Sequence, residues 1–328
     1  MAVTGRIWRG GQVEDLRPDA DLVALIHEPG ALVWVDLCQP TESELSRLGQ
    51  ELGLDGHTLE DSLAERERPK AIRFDHYTFS TVYAVQLRPG PGDWPTVEPS
   101  RISAYALPTA LLTVRRDEAF DLSAVLTRWA EDHELVGFGV DGLLQGLLDV
   151  VVDQHFEVLQ VIDDQIEDLI GRLFADHPDL RDLQRRTFAI RAELVGLRRI
   201  VPPLRDVVAT LIRAGQFSRG WPAGLLSYYE DLNDHVLRAS EWSESLRELV
   251  SSVYETNLAL NDTRMNEVMK KLAAVAAIIA VPTLITGWFG MNVPYWGFGA
   301  VGGFVAAGSL VIVVVVTLFL VFRKQGWL

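Results

Sequence analysis

Asn292 closes a Gly290-Met291-Asn292 tripeptide inside the segment 290–299, which separates two apolar runs at 272–289 and 300–322. From residue 272 to residue 322 there is no Asp, Glu, Lys or Arg. The polar groups available to chemistry there are therefore neutral oxygens: the Asn292 amide, the Thr283 and Thr286 hydroxyls beside Pro282 and Gly287, and backbone carbonyls. Neutral oxygens can hydrogen-bond the water shell of a small cation without stripping it. Carboxylates would hold the ion too tightly for a site that must also release it.

Each apolar run is long enough to cross a hydrocarbon core, which takes about 20 helical residues. The segment between them has one proline, several glycines and the aromatics Tyr295, Trp296 and Phe298, the composition of a short interfacial turn. Lys270 and Lys271 precede the first run and Arg323 and Lys324 follow the second. Basic flanks belong on the cytoplasmic side, so both termini are expected there and the tight loop outside. Two spans could be a plain hairpin anchor. Pro282 argues against it, because a mid-span break with Thr283, Thr286 and Gly287 close by is tolerated where neighbours or water re-satisfy the backbone. The second run is uniformly Val, Leu and Ile from 310 to 321 and suits lipid. The first helix is expected to line something.

The charges are segregated. Of 328 residues, all 45 acidic ones and 28 of the 30 basic ones precede the charge-free stretch, leaving that portion at −17. Such a balance excludes a nucleic-acid partner, which needs a basic face, and favours cations or solubility. Cys38 is the single cysteine, so neither an internal disulfide nor a thiolate metal cluster is available. The N-terminus lacks an apolar h-region, so no cleaved signal peptide is expected. No nucleophile elbow, P-loop or His-Glu-x-x-His pattern occurs, and the chain is not read as an enzyme.

Residues 1–140 mix strand-like runs (31–36, 76–87 and 101–114, the last broken by Pro108) with a helix at 41–52 that opens on a Thr-x-x-Glu capping box. The connection Pro89-Gly90-Pro91-Gly92 joins the last two strands. After about residue 141 the texture becomes long-helical. Apolar positions recur at three- and four-residue steps through 142–174, a second helix is expected over 180–214 with an interruption at Pro202-Pro203, and a third runs from about Leu225 with no proline or glycine before residue 280. From residue 240 to 289 alone it would be roughly 75 Å long. The expected organisation is an α+β cytoplasmic domain (1–140), a stalk of long helices (141–271), a first transmembrane helix (272–289), an external loop (290–299), a second transmembrane helix (300–322) and a cytoplasmic tail (323–328).

This layout, with Gly290-Met291-Asn292 at the outer end of the first span and Asn266-Glu267-Val268-Met269-Lys270-Lys271-Leu272 running into it, resembles the CorA family of divalent-cation transporters. The segments 161–167 (VIDDQIE) and 228–235 (YYEDLNDH) resemble the family's acidic helix and the start of its long helix. Leu59-Glu60-Asp61 followed by Arg68-Pro69-Lys70 is similar to a stretch of its first domain. The resemblance covers nearly the whole chain and is strongest over 151–292.

It implies a funnel-shaped homopentamer in the inner cell membrane, with the first span of each subunit around a central pore. Gly290, Met291 and Asn292 would form the outer mouth. Thr283 and Gly287 would face the pore, Asn266 and Leu272 its cytoplasmic extension, with Leu272 as an apolar constriction and Glu255 as an acidic position deeper in. Asp61 of one subunit and Asp231 of its neighbour would make a regulatory cation site that holds the closed state when cytoplasmic Mg²⁺ is plentiful. No cofactor is implied; Mg²⁺ enters as substrate and regulatory ligand, with Co²⁺ or Ni²⁺ as passengers, driven by membrane potential. Two features depart from the family pattern: the loop 293–299 has no acidic residue, and Pro282 directly adjoins Thr283. Zinc or other transition-metal transport on the same fold, and a non-conducting membrane-anchored cation sensor, are the competing readings.

Overall fold

The computed structural model describes every residue except 1, 18–19, 91–93, 176–178, 219–220, 295–296 and 328. Pro91 and Gly92 of the expected strand connection, His177 and the loop aromatics Tyr295 and Trp296 lie outside the described residues. The chain divides into two compact units, Met1–Val253 and Tyr254–Leu328.

The first unit opens with the antiparallel pair β1 (Ala2–Arg9) and β2 (Gln12–Asp15), followed by α1 (Leu22–Ile26) and β3 (Ala31–Cys38). Next come α2 (Glu42–Leu52), α3 (Gly56–Leu63), β4 (Lys70–Arg73), β5 (Thr78–Pro89), β6 (Pro95–Ala106) and β7 (Ala110–Arg115). The strands form one sheet in the order β2-β1-β3-β7-β6-β5-β4. Only the β3–β7 pairing is parallel among those described, with Val33 opposite Ala110 and Cys38 opposite Arg115.

The local chemistry accounts for these elements. Thr41 caps α2, accepting from the Glu44 amide while the Glu44 carboxylate accepts from the Thr41 amide, so two amides that a helix leaves without partners are satisfied. Gly53 ends α2 at φ 68°, a left-handed conformation that costs a glycine little. The run expected as one strand at 101–114 is instead the hairpin β6–β7. Pro108 cannot donate to a ladder, and the Leu107 amide bonds the Ala110 carbonyl across the turn.

The rest of this unit is helical: α4 (Leu122–Glu131), α5 (His133–Gly137), α6 (Val140–Leu173), α7 (Leu180–Leu197), α8 (Val201–Ser218) and the beginning of α9 (Ala223–Phe289). The expected second long helix is two, broken at Arg198-Arg199-Ile200, ahead of the prolines. Pro202 and Pro203 then sit in the first turn of α8, where a missing amide hydrogen is no loss.

The sheet carries a core on each face. On one, Ile26, Leu45, Leu48 and Leu59 from α1–α3 pack on Val33, Val35, Leu37, Phe79 and Tyr105. On the other, Trp129, the buried side of α6, Leu204 and Val208 of α8 and Leu225 to Val236 of α9 pack on Trp34, Val82, Ile102 and Leu111. Within the sheet, buried Asp36 receives Arg115 through Nε and Nη2 at 2.8–3.1 Å and the Thr113 hydroxyl at 2.7 Å.

The second unit contains the remainder of α9 and α10 (Val301–Lys324). Both carry an 18-residue window of high mean hydropathy, 2.1 and 2.9, of which only 6% and 0% is buried. A core helix of a soluble protein would bury that surface. These two leave Val301 and Phe304 81% exposed and Leu284 73% exposed, far beyond what a soluble monomer leaves in water.

Candidate functional site

Pro282 lies inside α9 without ending it. Its ring removes the amide hydrogen that would bond the Ile278 carbonyl one turn earlier. Next to it the Thr283 hydroxyl donates to the Ile279 carbonyl at 2.7 Å and the Thr286 hydroxyl to the Thr283 carbonyl at 3.1 Å. Both hydroxyls are spent on the backbone as donors, and their oxygens keep lone pairs that can accept from a hydrated ion's waters. Gly287 is exposed and has open space where a side chain would begin.

The helix ends at Phe289. The Gly290 amide bonds the Thr286 carbonyl at 2.9 Å and the Met291 amide bonds the Trp288 carbonyl at 3.3 Å, so the tripeptide is wound back against the last turn of α9. Met291 is half-exposed and Asn292 exposed. The structure thus sets Thr283, Gly287 and Asn292 in succession along one helix end, each open to its surroundings.

Glu255, Asn266 and Leu272 are exposed on the same helix. At about 100° per residue, Leu272, Thr283, Gly287, Glu255 and Asn266 fall in that order across one arc of about 120° of the helix surface. One side of the helix therefore carries all five. Exposed Leu258, Met265, Val268, Leu272, Val275 and Ile279 recur at three-, four- or seven-residue steps, the spacing of a seam between helices.

Asp61 and Asp231 sit in separate local networks of the chain. Asp61, in α3, is 21% exposed, and its Oδ2 lies 2.7 Å from Lys70 Nζ. Lys70 also pairs with Glu67 at 3.1 Å. Against the desolvation of its ammonium, the hydrogen bonds to Asp61 and Glu67 hold Lys70 above the usual lysine pKa. Asp231, in α9, is 69% exposed, with His235 Nε2 3.9 Å away. Nearby Asp149 is raised chiefly by burial, with Asp153 and Asp231 adding to the rise and Arg128 and His235 opposing it.

Among the described residues no three His, Cys, Asp or Glu converge as a ready metal cage. Mg²⁺ does not need one: it keeps most of its water and uses one or two carboxylates. Asp61 and Asp231 each offer one carboxylate, a donor of the type that a hydrated Mg²⁺ uses. Sequence reasoning missed that Asp61 already carries a counter-ion. The signal was in view, since Lys70 ends the Arg68-Pro69-Lys70 motif nine residues on.

A three-layer α/β body joined to two exposed, span-length apolar helices defines a membrane protein with two C-terminal spans. Residues 29–324 match the CorA-like Mg²⁺ transporter protein family, and the chain belongs to that family. The cobalt/magnesium transport protein CorA of Thermotoga maritima is 26% identical over 323 residues, covering 94% of this chain and 87% of the relative. The complete structure of the CorA magnesium transporter from Methanocaldococcus jannaschii superposes with a TM-score of 0.79 at 23% identity, covering 100% of this chain and 99% of that one. The ZntB cytoplasmic domain from Vibrio parahaemolyticus covers 80% of this chain with a TM-score of 0.60 at 13% identity, which extends the likeness of fold to a further protein.

Proposed function

We propose that the protein is a divalent-cation channel of the cell membrane that admits Mg²⁺ as its main substrate, with Co²⁺ and Ni²⁺ as passengers. The observation that carries this is the end of α9: a span without formal charge, offering only neutral oxygens at Thr283, Thr286 and Asn292, in a chain that belongs to a transporter family. Neutral donors suit an ion that must be recognised with its water on and then released.

In this reading five copies assemble as a funnel, with Gly290, Met291 and Asn292 at the outer mouth and Thr283 and Gly287 along the membrane pore. Leu272 closes by dewetting, with Asn266 and Glu255 in the cytoplasmic extension. The exposed apolar seam of α9 supports self-association. The basic flanks support cytoplasmic termini. In this reading the domain limits are 1–140, 141–271, 272–289, 290–299, 300–322 and 323–328, as the sequence suggests. The potential supplies about 4.6 kcal/mol for a divalent ion at 100 mV, twice the single-charge value. Cytoplasmic Mg²⁺ at Asp61 and Asp231 across the subunit interface neutralises facing carboxylates and holds the closed state.

The test is influx into liposomes loaded with a Mg²⁺-sensitive dye under an inside-negative potential, beside Asn292→Ala. Rapid influx in wild type that is lost in the variant is the expected result. Zn²⁺ influx without Mg²⁺ influx would replace the ion, and no influx of either at low internal Mg²⁺ would leave a membrane-anchored sensor.

A further inference from the structure

The carboxylate assigned to the regulatory cation already has a cation attached to the same chain. Lys70 Nζ lies 2.7 Å from Asp61 Oδ2 and 3.1 Å from Glu67 Oε1, and the three side chains are only 21–30% exposed. The backbone on both sides of the lysine is pinned. Lys70 is the first residue of β4, opposite Thr81, and follows Pro69, whose φ is fixed by its ring. The loop leading to it is held by three donors: Arg101 Nη2 to the Ser62 carbonyl at 2.7 Å, Arg116 Nη1 to the Ala64 carbonyl at 2.9 Å, and the Tyr83 hydroxyl to the Glu67 carbonyl at 2.6 Å. The ammonium is therefore delivered to Asp61 by a braced segment, unlike a surface lysine that samples solvent.

A divalent ion approaching Asp61 meets a positive charge already seated on one of its two oxygens. It must bind beside that charge, against repulsion, or displace it. We infer that Lys70 is a tethered competitor for the Asp61 site and sets the cytoplasmic Mg²⁺ concentration at which the site fills. This rests on the proposed regulatory role of Asp61. When the site is empty, Lys70 neutralises Asp61 and Glu67. When Mg²⁺ binds, the lysine gives up Asp61 and keeps Glu67.

The experiment uses the full-length protein with Lys70→Gln, Lys70→Arg and Asp61→Asn. Two half-points are measured: the Mg²⁺ concentration that half-closes transport in liposomes, and the one that half-saturates the Mg²⁺-induced rise in melting temperature, followed by tryptophan fluorescence without any flux. The competitor role requires Lys70→Gln to lower both half-points about five-fold, and Lys70→Arg, which keeps the charge, to stay within about two-fold of wild type. A substitution that merely loosened the fold would raise the half-points. Unchanged or raised half-points in Lys70→Gln overturn the competitor role. If Asp61→Asn raises the half-points while Lys70→Gln does not lower them, the regulatory site stands and only the competitor falls. If Asp61→Asn leaves both unchanged, the regulatory role itself falls and takes the competitor with it.

Discussion

Leu272→Ser separates packing from gating. Leu272 is 62% exposed on its own chain, so its fold draws on only about two-fifths of the side chain. Full burial of a leucine is worth about 1.5–3 kcal/mol, which limits the loss of chain stability to roughly 1 kcal/mol. The conduction effect works on a different scale. In the proposed ring of five, replacing each isobutyl side chain by a hydroxymethyl removes about 1 kcal/mol or more of dewetting drive per subunit, on the order of 5 kcal/mol for the ring. At about 1.4 kcal/mol per decade, that is more than a thousand-fold rise in closed-state leak. The assay is dye-reported Mg²⁺ influx into proteoliposomes held at high Mg²⁺ on the cytoplasmic face, with a melting curve on the same preparation. A leak rise of two decades or more with a near-wild-type melt is expected. A melt lowered by several kcal/mol with no leak would show that Leu272 packs against protein elsewhere and does not close a pore.

Two further outcomes concern the sheet and the helix behind it. Asp36→Asn leaves the Arg115 guanidinium buried against a neutral amide and should cost about 3–5 kcal/mol, read as a large fall in melting temperature with unchanged ion selectivity in the protein that remains folded. His155 is buried, its Nε2 facing the Tyr83 carbonyl, and desolvation outweighs that hydrogen bond to lower its pKa to about 4. The folded state therefore refuses a proton that the unfolded chain accepts near pH 6.5. Stability is full above about 6.5 and is lost as pH falls toward 4, by about 3 kcal/mol at most. His155→Gln should flatten that part of the stability-against-pH curve, measured by denaturant unfolding.

Much of the architecture was legible because it is written in local chemistry. The Thr41–Glu44 box, the strand at 31–36 and the first and third long helices follow from caps, β-branched runs and apolar period, and each lies within a few residues of its expected limits. The β1–β2 pair was not legible. Its strands carry Gly5, two arginines and two acids, and the second is exposed at every position, so there is no apolar alternation to see. Pro202-Pro203 marked a helix start and was read as an interruption, since a proline pair signals a break without saying which side of it resumes. At the site, the tripeptide and the charge-free span were visible as composition. For the Asp61–Lys70 pair only the two motifs were visible, because the contact itself needs α3 and β4 brought together by a braced loop.

Pro282 also bears on orientation. A carbonyl deprived of its donor in hydrocarbon costs several kcal/mol unless water, a hydroxyl or a neighbouring helix answers it. A span of uniform leucine could turn about its own axis among lipid tails at almost no penalty. α9 cannot, since the arc holding the Ile278 carbonyl has to look toward something polar or toward another helix. The proline thus acts as a compass needle: it assigns the span a wet side and a greasy side where hydropathy alone is silent, and any substitution that returns the missing amide hydrogen would free the helix to point elsewhere.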